Sequence, residues 1–350
     1  MKITREQAIA GSPEDKEAYM KSIRIPHRNQ TLVIKTLVDR MSPGAGLSLT
    51  LLVGPPGAGK TTVGQIMLEN LLNSFAIQIQ EDPSIIPAIM SEVDAPDKDE
   101  VNFVLLYSRL CHDLIAPSPM DGFTIVDDQK VPLEQIQIRN SRLMFERAIW
   151  YRKLRYLILD EVLHLTNTNT DPKQYANLLK SLSNRTGFYL LLLGAYGCEE
   201  LAVASGQIAR RIVVVHYPRY TESLEDFTEY CVAVKSFAEL LPVRCNVDLG
   251  NCMDYLFRGT FGILGQTFDI LKEATKPCIA DGERKWRDDY IHSVMPSEEA
   301  QKKIARETFR GEMDIVPYLR GSEKHAYVDA AQIRADLELE AERDDKPRGR

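Results

Sequence analysis

The stretch Gly54-Pro55-Pro56-Gly57-Ala58-Gly59-Lys60-Thr61 constrains this chain more than any other, because it satisfies G-x-x-x-x-G-K-[ST] at every fixed position. Before it, Leu47 to Val53 reads as a short buried strand, and after it Val63 to Leu72 has the apolar spacing of a helix. Strand, glycine-rich loop and helix in that order make a phosphate-binding unit. The glycines permit conformations that turn successive N–H groups toward one anion, and the helix adds the positive end of its dipole. Lys60 then reaches the β- and γ-phosphates while the Thr61 hydroxyl ligates Mg²⁺. Nucleotide contacts are therefore expected from Gly54, Pro55, Pro56, Gly57, Ala58, Gly59, Lys60, Thr61 and Thr62, with ATP and Mg²⁺ as the cofactors.

Tyr156-Leu157-Ile158-Leu159-Asp160-Glu161 is the second strong signal, an apolar strand delivering two adjacent carboxylates at its end. Given the phosphate loop, Asp160 is expected to hold the metal and Glu161 to act as general base on the attacking water. The expected activity is ATP hydrolysis.

At 350 residues and 44% hydrophobic content, the chain can bury a substantial core. No apolar run approaches the roughly 20 residues needed to cross a bilayer, and the N-terminus has no signal-peptide pattern. A soluble, cytoplasmic protein without a membrane partner is expected. Cys111, Cys198, Cys231, Cys245, Cys252 and Cys278 form no C-x-x-C pair, so neither a structural zinc site nor a disulfide framework is indicated. The net charge of −7 argues against a uniformly basic nucleic-acid binder but is silent on local patches.

Residues up to about Ile23 read as polar helix, broken by Ile25-Pro26-His27, and Thr31 to Met41 reads as a helix stopped by Ser42-Pro43-Gly44. The upstream segment wraps the adenine in many phosphate-loop ATPases, which makes Ile25, Pro26 and His27 candidates; a turn between two helices is the alternative. The acidic run Glu92 to Glu100 reads as a solvated loop, with a helix over Val101 to Leu114. Further strands are expected at Phe188 to Leu193 and Ile212 to His216, and helices at Leu224 to Leu241, Met253 to Ala274 and Ser297 to Arg310. Alternating strands and helices indicate an α/β fold whose parallel sheet is covered on both faces. The tail Asp336 to Arg350 reads as a fraying helix or unstructured extension. The division expected is 1–45, an N-terminal helical segment; 46–220, the nucleotide-binding core; 221–277, a small helical lid; and 278–350, a C-terminal extension.

Phosphate loop, Asp-Glu pair, a further strand, an Arg-Arg pair and a helical lid follow one another in the order of an AAA+ ATPase. Ser205-Gly206-Gln207-Ile208-Ala209-Arg210-Arg211, then His216-Tyr217-Pro218-Arg219-Tyr220, and Gly259-Thr260-Phe261-Gly262-Ile263-Leu264 in the lid, resemble the bacterial transposon ATPases TnsC and TniB. The resemblance covers roughly residues 20–275. It implies an ATP-dependent regulator of DNA transposition in the bacterial cytoplasm, forming homo-oligomeric rings or filaments on double-stranded DNA. Its implied partners are a TniQ-like targeting factor, in some systems CRISPR-guided, and the transposase. Where that family ends its third strand in Gly-Thr, this chain has Gly194-Ala195, with Tyr196 the nearest polar group; slow, regulatory hydrolysis is the expectation. In the lid, Arg258 is the nearest sensor candidate.

Arg210 and Arg211 lie where such ATPases place a residue reaching the neighbouring subunit's γ-phosphate, and either of the two is open for that role. For DNA, the densest basic stretch runs from Arg139 to Arg155, six bases against Glu146 alone. Lys130, Arg139, Arg142 and Arg147 are the candidate phosphate contacts, giving affinity without sequence reading. A STAND-type signalling switch that ignores DNA and a replication-initiator or loader ATPase are the alternatives.

Overall fold

The computed structural model describes residues 3–41, 49–96, 101–116, 123–126, 129–132, 138–166, 187–204 and 211–319, together with 171, 173–175, 179 and 209; for 123–132 and for 138 and 139 it describes the backbone alone. The chain opens with α1 (Arg5–Ala10), α2 (Pro13–Ser22) and α3 (Arg28–Met41). β1 (Leu49–Val53) leads through the phosphate loop into α4 (Lys60–Ser74), followed by α5 (Ala76–Glu81), β2 (Ala88–Glu92) and α6 (Phe103–Asp113). A hairpin of β3 (Phe123–Val126) and β4 (Gln129–Pro132) precedes α7 (Ile138–Arg152), β5 (Tyr156–Asp160), β6 (Tyr189–Gly194), α8 (Glu200–Val203) and β7 (Ile212–His216). The remaining elements are helical: α9 (Leu224–Glu239), α10 (Met253–Gly259), α11 (Leu264–Ala280), α12 (Asp288–Val294) and α13 (Glu298–Asp314).

Five strands pair in the order β2-β5-β6-β1-β7, every pair parallel. Strands buried on both faces need apolar residues at every position, which is why their sequences are near-continuous Leu, Ile and Val. Successive side chains alternate between two cores. Leu157, Leu159, Leu190 and Leu192 face the layer of α6 and α7; Ile158, Leu191, Leu193 and Val213 face α3 and α4. Register brings Val53 beside both Gly194 and His216, and Glu92 beside Asp160, so the strands' carboxyl ends share one edge.

A third core gathers α9 to α12 around Tyr230, Phe237, Leu256 and Leu271 and draws in Met20 and Ile23 from the N-terminal segment. Arg219, only 7% exposed, fastens this body to the sheet. Its guanidinium donates to the Phe261 carbonyl (3.0 Å), Glu222 (3.0 Å) and Glu312 of α13 (2.9 Å). The expected α/β architecture with helices on both faces is what the chain adopts. Sequence reading missed β2, because Ala88-Ile89-Met90-Ser91-Glu92 is a weak apolar run sitting beside an acidic one. It also read Glu92 to Glu100 as solvated throughout, yet Val93 is fully buried and Asp94 is paired with Arg109 at 2.6 Å; residues 97–100 lie outside the described residues.

Candidate nucleotide-binding site

The carboxyl edge of an open parallel sheet is where such folds leave a crevice. Here it holds a cavity of about 450 Å³, floored by Pro56 to Thr62 and walled by Glu161, Ala195, the 23–30 segment and α11. The loop that forms the floor turns on glycine: Gly59, which begins α4, has φ +93°, a region L side chains rarely adopt. The first residues of α4, Lys60 to Thr62, line the cavity, and the unpaired N–H groups of a helix start suit an anion there. Lys60 is buried, and its ammonium donates to the Gly54 (3.0 Å) and Pro55 (2.9 Å) carbonyls. Burial pulls its pKa below the ordinary lysine value, with Cys198, Glu161 and Asp160 acting the other way. Thr61 is exposed at the helix start.

Asp160 ends β5 at 5% exposure, and its Oδ1 accepts from the Glu161 N–H at 2.9 Å. Glu161 leaves the strand with φ +55° and an exposed carboxylate lining the cavity. A non-glycine residue in the left-handed region costs of order 1 kcal/mol and is held there by its surroundings. The donor set fits Mg²⁺, which takes one or two carboxylates or hydroxyls and otherwise water and phosphate oxygens rather than an all-protein cage. Among the described residues there is no cluster of three or more His, Cys, Asp or Glu that makes such a cage.

Of the upstream candidates, Ile25 and His27 line the cavity, and Pro26 is not among its lining residues. His27 Nδ1 lies 3.0 Å from the Tyr220 hydroxyl and its Nε2 3.2 Å from that of Tyr217. Burial lowers its pKa to about 4, so the ring is neutral at pH 7. Ala195, which carries no side-chain hydroxyl, lines the cavity. The Tyr196 hydroxyl is 2.8 Å from His216 Nε2, and its ring packs against Gly311 of α13. Arg258 is 78% exposed, bound to Asp254 at 2.8 Å, and does not line the cavity.

Sequence reading missed what α11 contributes. Gly265, Phe268, Asp269 and Lys272 recur at helical spacing and all face the cavity. Lys272 donates to Asp269 at 2.9 Å, and Gln266 donates to the Pro56 carbonyl at 3.2 Å. A Cβ at Gly265 would stand 2.0 Å from the Gly57 carbonyl oxygen, so glycine lets α11 rest directly on the phosphate loop. The spacing was readable, but nothing local pointed that face at a loop some 200 residues away.

Arg210 lies outside the described residues; Arg211 is half-buried in the turn before β7. The side chains of Lys130 and Arg139 likewise lie outside the described residues. Arg142 is paired with Glu146 at 2.8 Å, and Arg147 is exposed on α7. Arg152 caps the end of α6 by donating to the Leu114 (2.9 Å) and Ile115 (2.7 Å) carbonyls.

Residues 45–202 match the family model described as an AAA domain. The chain adopts the α/β fold of that domain. With this phosphate loop and carboxylate pair, the domain makes the chain an ATPase. Among solved structures, the Aeropyrum pernix ORC1 protein in complex with DNA is 14% identical, at a TM-score of 0.57 over 96% of this chain and 87% of that one. The Aeropyrum pernix ORC2 protein, solved as ADPNP-ADP complexes, is 13% identical at a TM-score of 0.53 over 91% and 87%. At such identities the likeness is one of fold. No curated protein matches the sequence. Among the described residues no helix is long and apolar enough to cross a membrane.

Proposed function

We propose that this AAA ATPase is an ATP-gated switch that assembles on duplex DNA and regulates transposition, linking a TniQ-like targeting factor to a transposase. The observation that carries its ATP-gated part is the cavity in which the phosphate loop, Glu161 at the end of β5 and α11 converge on one nucleotide-sized space, with Asp160 directly behind Glu161. Loop N–H groups and the Lys60 ammonium bind the phosphates, Lys60 exchanging its carbonyl partners for phosphate oxygens. Thr61 and Asp160 would hold Mg²⁺, which would supply charge neutralisation at the phosphate oxygens. Glu161 orients and deprotonates the attacking water. Arg210 or Arg211 of a neighbouring copy reaches the γ-phosphate, which makes assembly and nucleotide state one equilibrium. Ala195 supplies no hydroxyl beside that phosphate, in keeping with slow, regulatory turnover.

The basic stretch Arg139 to Arg155 supports the DNA contact, and the phrases Ser205 to Arg211, His216 to Tyr220 and Gly259 to Leu264 support transposition. A replication-initiator role is the second reading, favoured by the alignment of 96% of this chain with an ORC1 protein in complex with DNA. Electron microscopy of the protein with duplex DNA and a non-hydrolysable ATP analogue tests the shared part: rings or filaments threaded by DNA are expected, and oligomers that ignore DNA overturn it. Nucleotide-dependent capture of purified transposase separates the two, since an initiator leaves the transposase unbound.

A further inference from the structure

The inner face of α7 is core: Phe145, Ala148 and Ile149 are at most 6% exposed. Its outer face is also apolar. Leu143, Trp150 and Tyr151 are 41%, 77% and 70% exposed and, with the exposed Arg147, fall at i, i+7, i+8 and i+4, one stripe of the helix. Beside the stripe runs a hollow of about 410 Å³ between α7 and the end of α6, lined by Met144, Arg147, Tyr151, Ile115 and Ala116. Ile115 on its rim is 76% exposed and has φ +48°, a strained conformation for a β-branched residue. Exposed Trp, Tyr and Arg around an apolar hollow are the composition of an interface centre. The stripe sits at the end of α7 that feeds the start of β5, the edge of the sheet opposite the nucleotide cavity.

We propose that this face is covered by residues 328–345 of the same chain, which lie outside the described residues. That stretch has the complementary chemistry. It carries Asp329, Asp336, Glu338, Glu340, Glu342, Asp344 and Asp345 against Arg334 and Arg343, while Ala330, Ile333, Leu337 and Ala341 recur at helical spacing. The cations facing it are Arg147 on the stripe and exposed Arg155 beyond it, both in the basic stretch proposed above for DNA, so the tail and duplex DNA compete for them; Lys153 is paired with Asp82, Arg142 with Glu146, and Arg152 with backbone carbonyls. Reach allows it. Leu319 bridges to Val214 of β7, and Ile315 shares the core of Phe145 and Ile149, so the chain leaves the described fold on the same face of the sheet as α7. From β7 to β5 is three strand spacings, about 14 Å; residues 320–328 extend to about 30 Å.

Tryptophan fluorescence of the full chain tests this, because Trp286 is 4% exposed and quenching by acrylamide therefore reports Trp150. Trp150 is expected to be protected in the unmodified protein. Protection is expected to be lost, with a red-shifted emission, in Leu337→Asp, and weakened in Arg147→Glu and at high salt. ATP affinity and circular dichroism of Leu337→Asp should match the unmodified protein, which separates undocking from unfolding. Quenching in the unmodified protein as strong as for free tryptophan, and unchanged by Leu337→Asp, overturns the proposal. So does protection that survives Leu337→Asp and grows with protein concentration, the signature of a second copy, or protection that appears only when duplex DNA is added.

Discussion

At Lys60 the ammonium rests on two loop carbonyls in a buried site where its charge is disfavoured, so a phosphate arriving there supplies the partner that restores it. Glu161 is the residue whose task is separable from binding. Glu161→Gln is expected to retain ATP while turnover falls about 10²-fold or more, measured as phosphate release beside equilibrium binding. Ala195→Thr, which adds a hydroxyl at the cavity wall, is expected to raise turnover in the same assay; unchanged turnover removes Ala195 as the reason for slow hydrolysis. His27 and His216 give a pH signature, since burial lowers both pKa values to about 4. As pH falls below about 6.5 the unfolded chain takes up these protons first. Their contribution is therefore complete above about pH 6.5 and lost as pH falls through about 4, on the order of 3 kcal/mol each at most. Urea midpoints should drop steadily across that window, and more shallowly in the His27→Gln, His216→Gln double variant.

Among the elements, α11 is the one that turns a phosphate loop into an enclosed site. Gly265→Val places a side chain where the Gly57 carbonyl already stands. Overpacking of about 1–3 kcal/mol should push α11 off the loop and weaken ATP binding roughly tenfold, read by calorimetry. The elements legible from sequence were those whose pattern is local. β7 coincides with its expected range, Ile212 to His216, and β5 with the run before Asp160, because a strand buried on both faces writes itself as unbroken apolar residues. β2, with Ser91 and Glu92 in a five-residue run, and α12, in a charged stretch around Trp286, were not legible, since their burial depends on neighbours distant in sequence.

For the whole molecule, ATP at about 100 times its dissociation constant should stabilise the fold by about 2.7 kcal/mol, and more where it also drives assembly. A thermal midpoint that rises with ATP and then with protein concentration is the expected result. Ligand gain independent of protein concentration separates binding from assembly. The chain's sequence by itself determined the phosphate loop, the Asp160-Glu161 pair and the parallel α/β fold around them, because glycine conformations, strand-end carboxylates and apolar period are properties of a few adjacent residues. Tertiary structure alone decided which side of α11 closes the nucleotide cavity, that Arg219 ties the sheet to α13 and the helical body, and that α7 carries a second apolar face. Those outcomes depend on which surfaces meet once the sheet has ordered its strands, and no local run of residues encodes a meeting between positions 57 and 265.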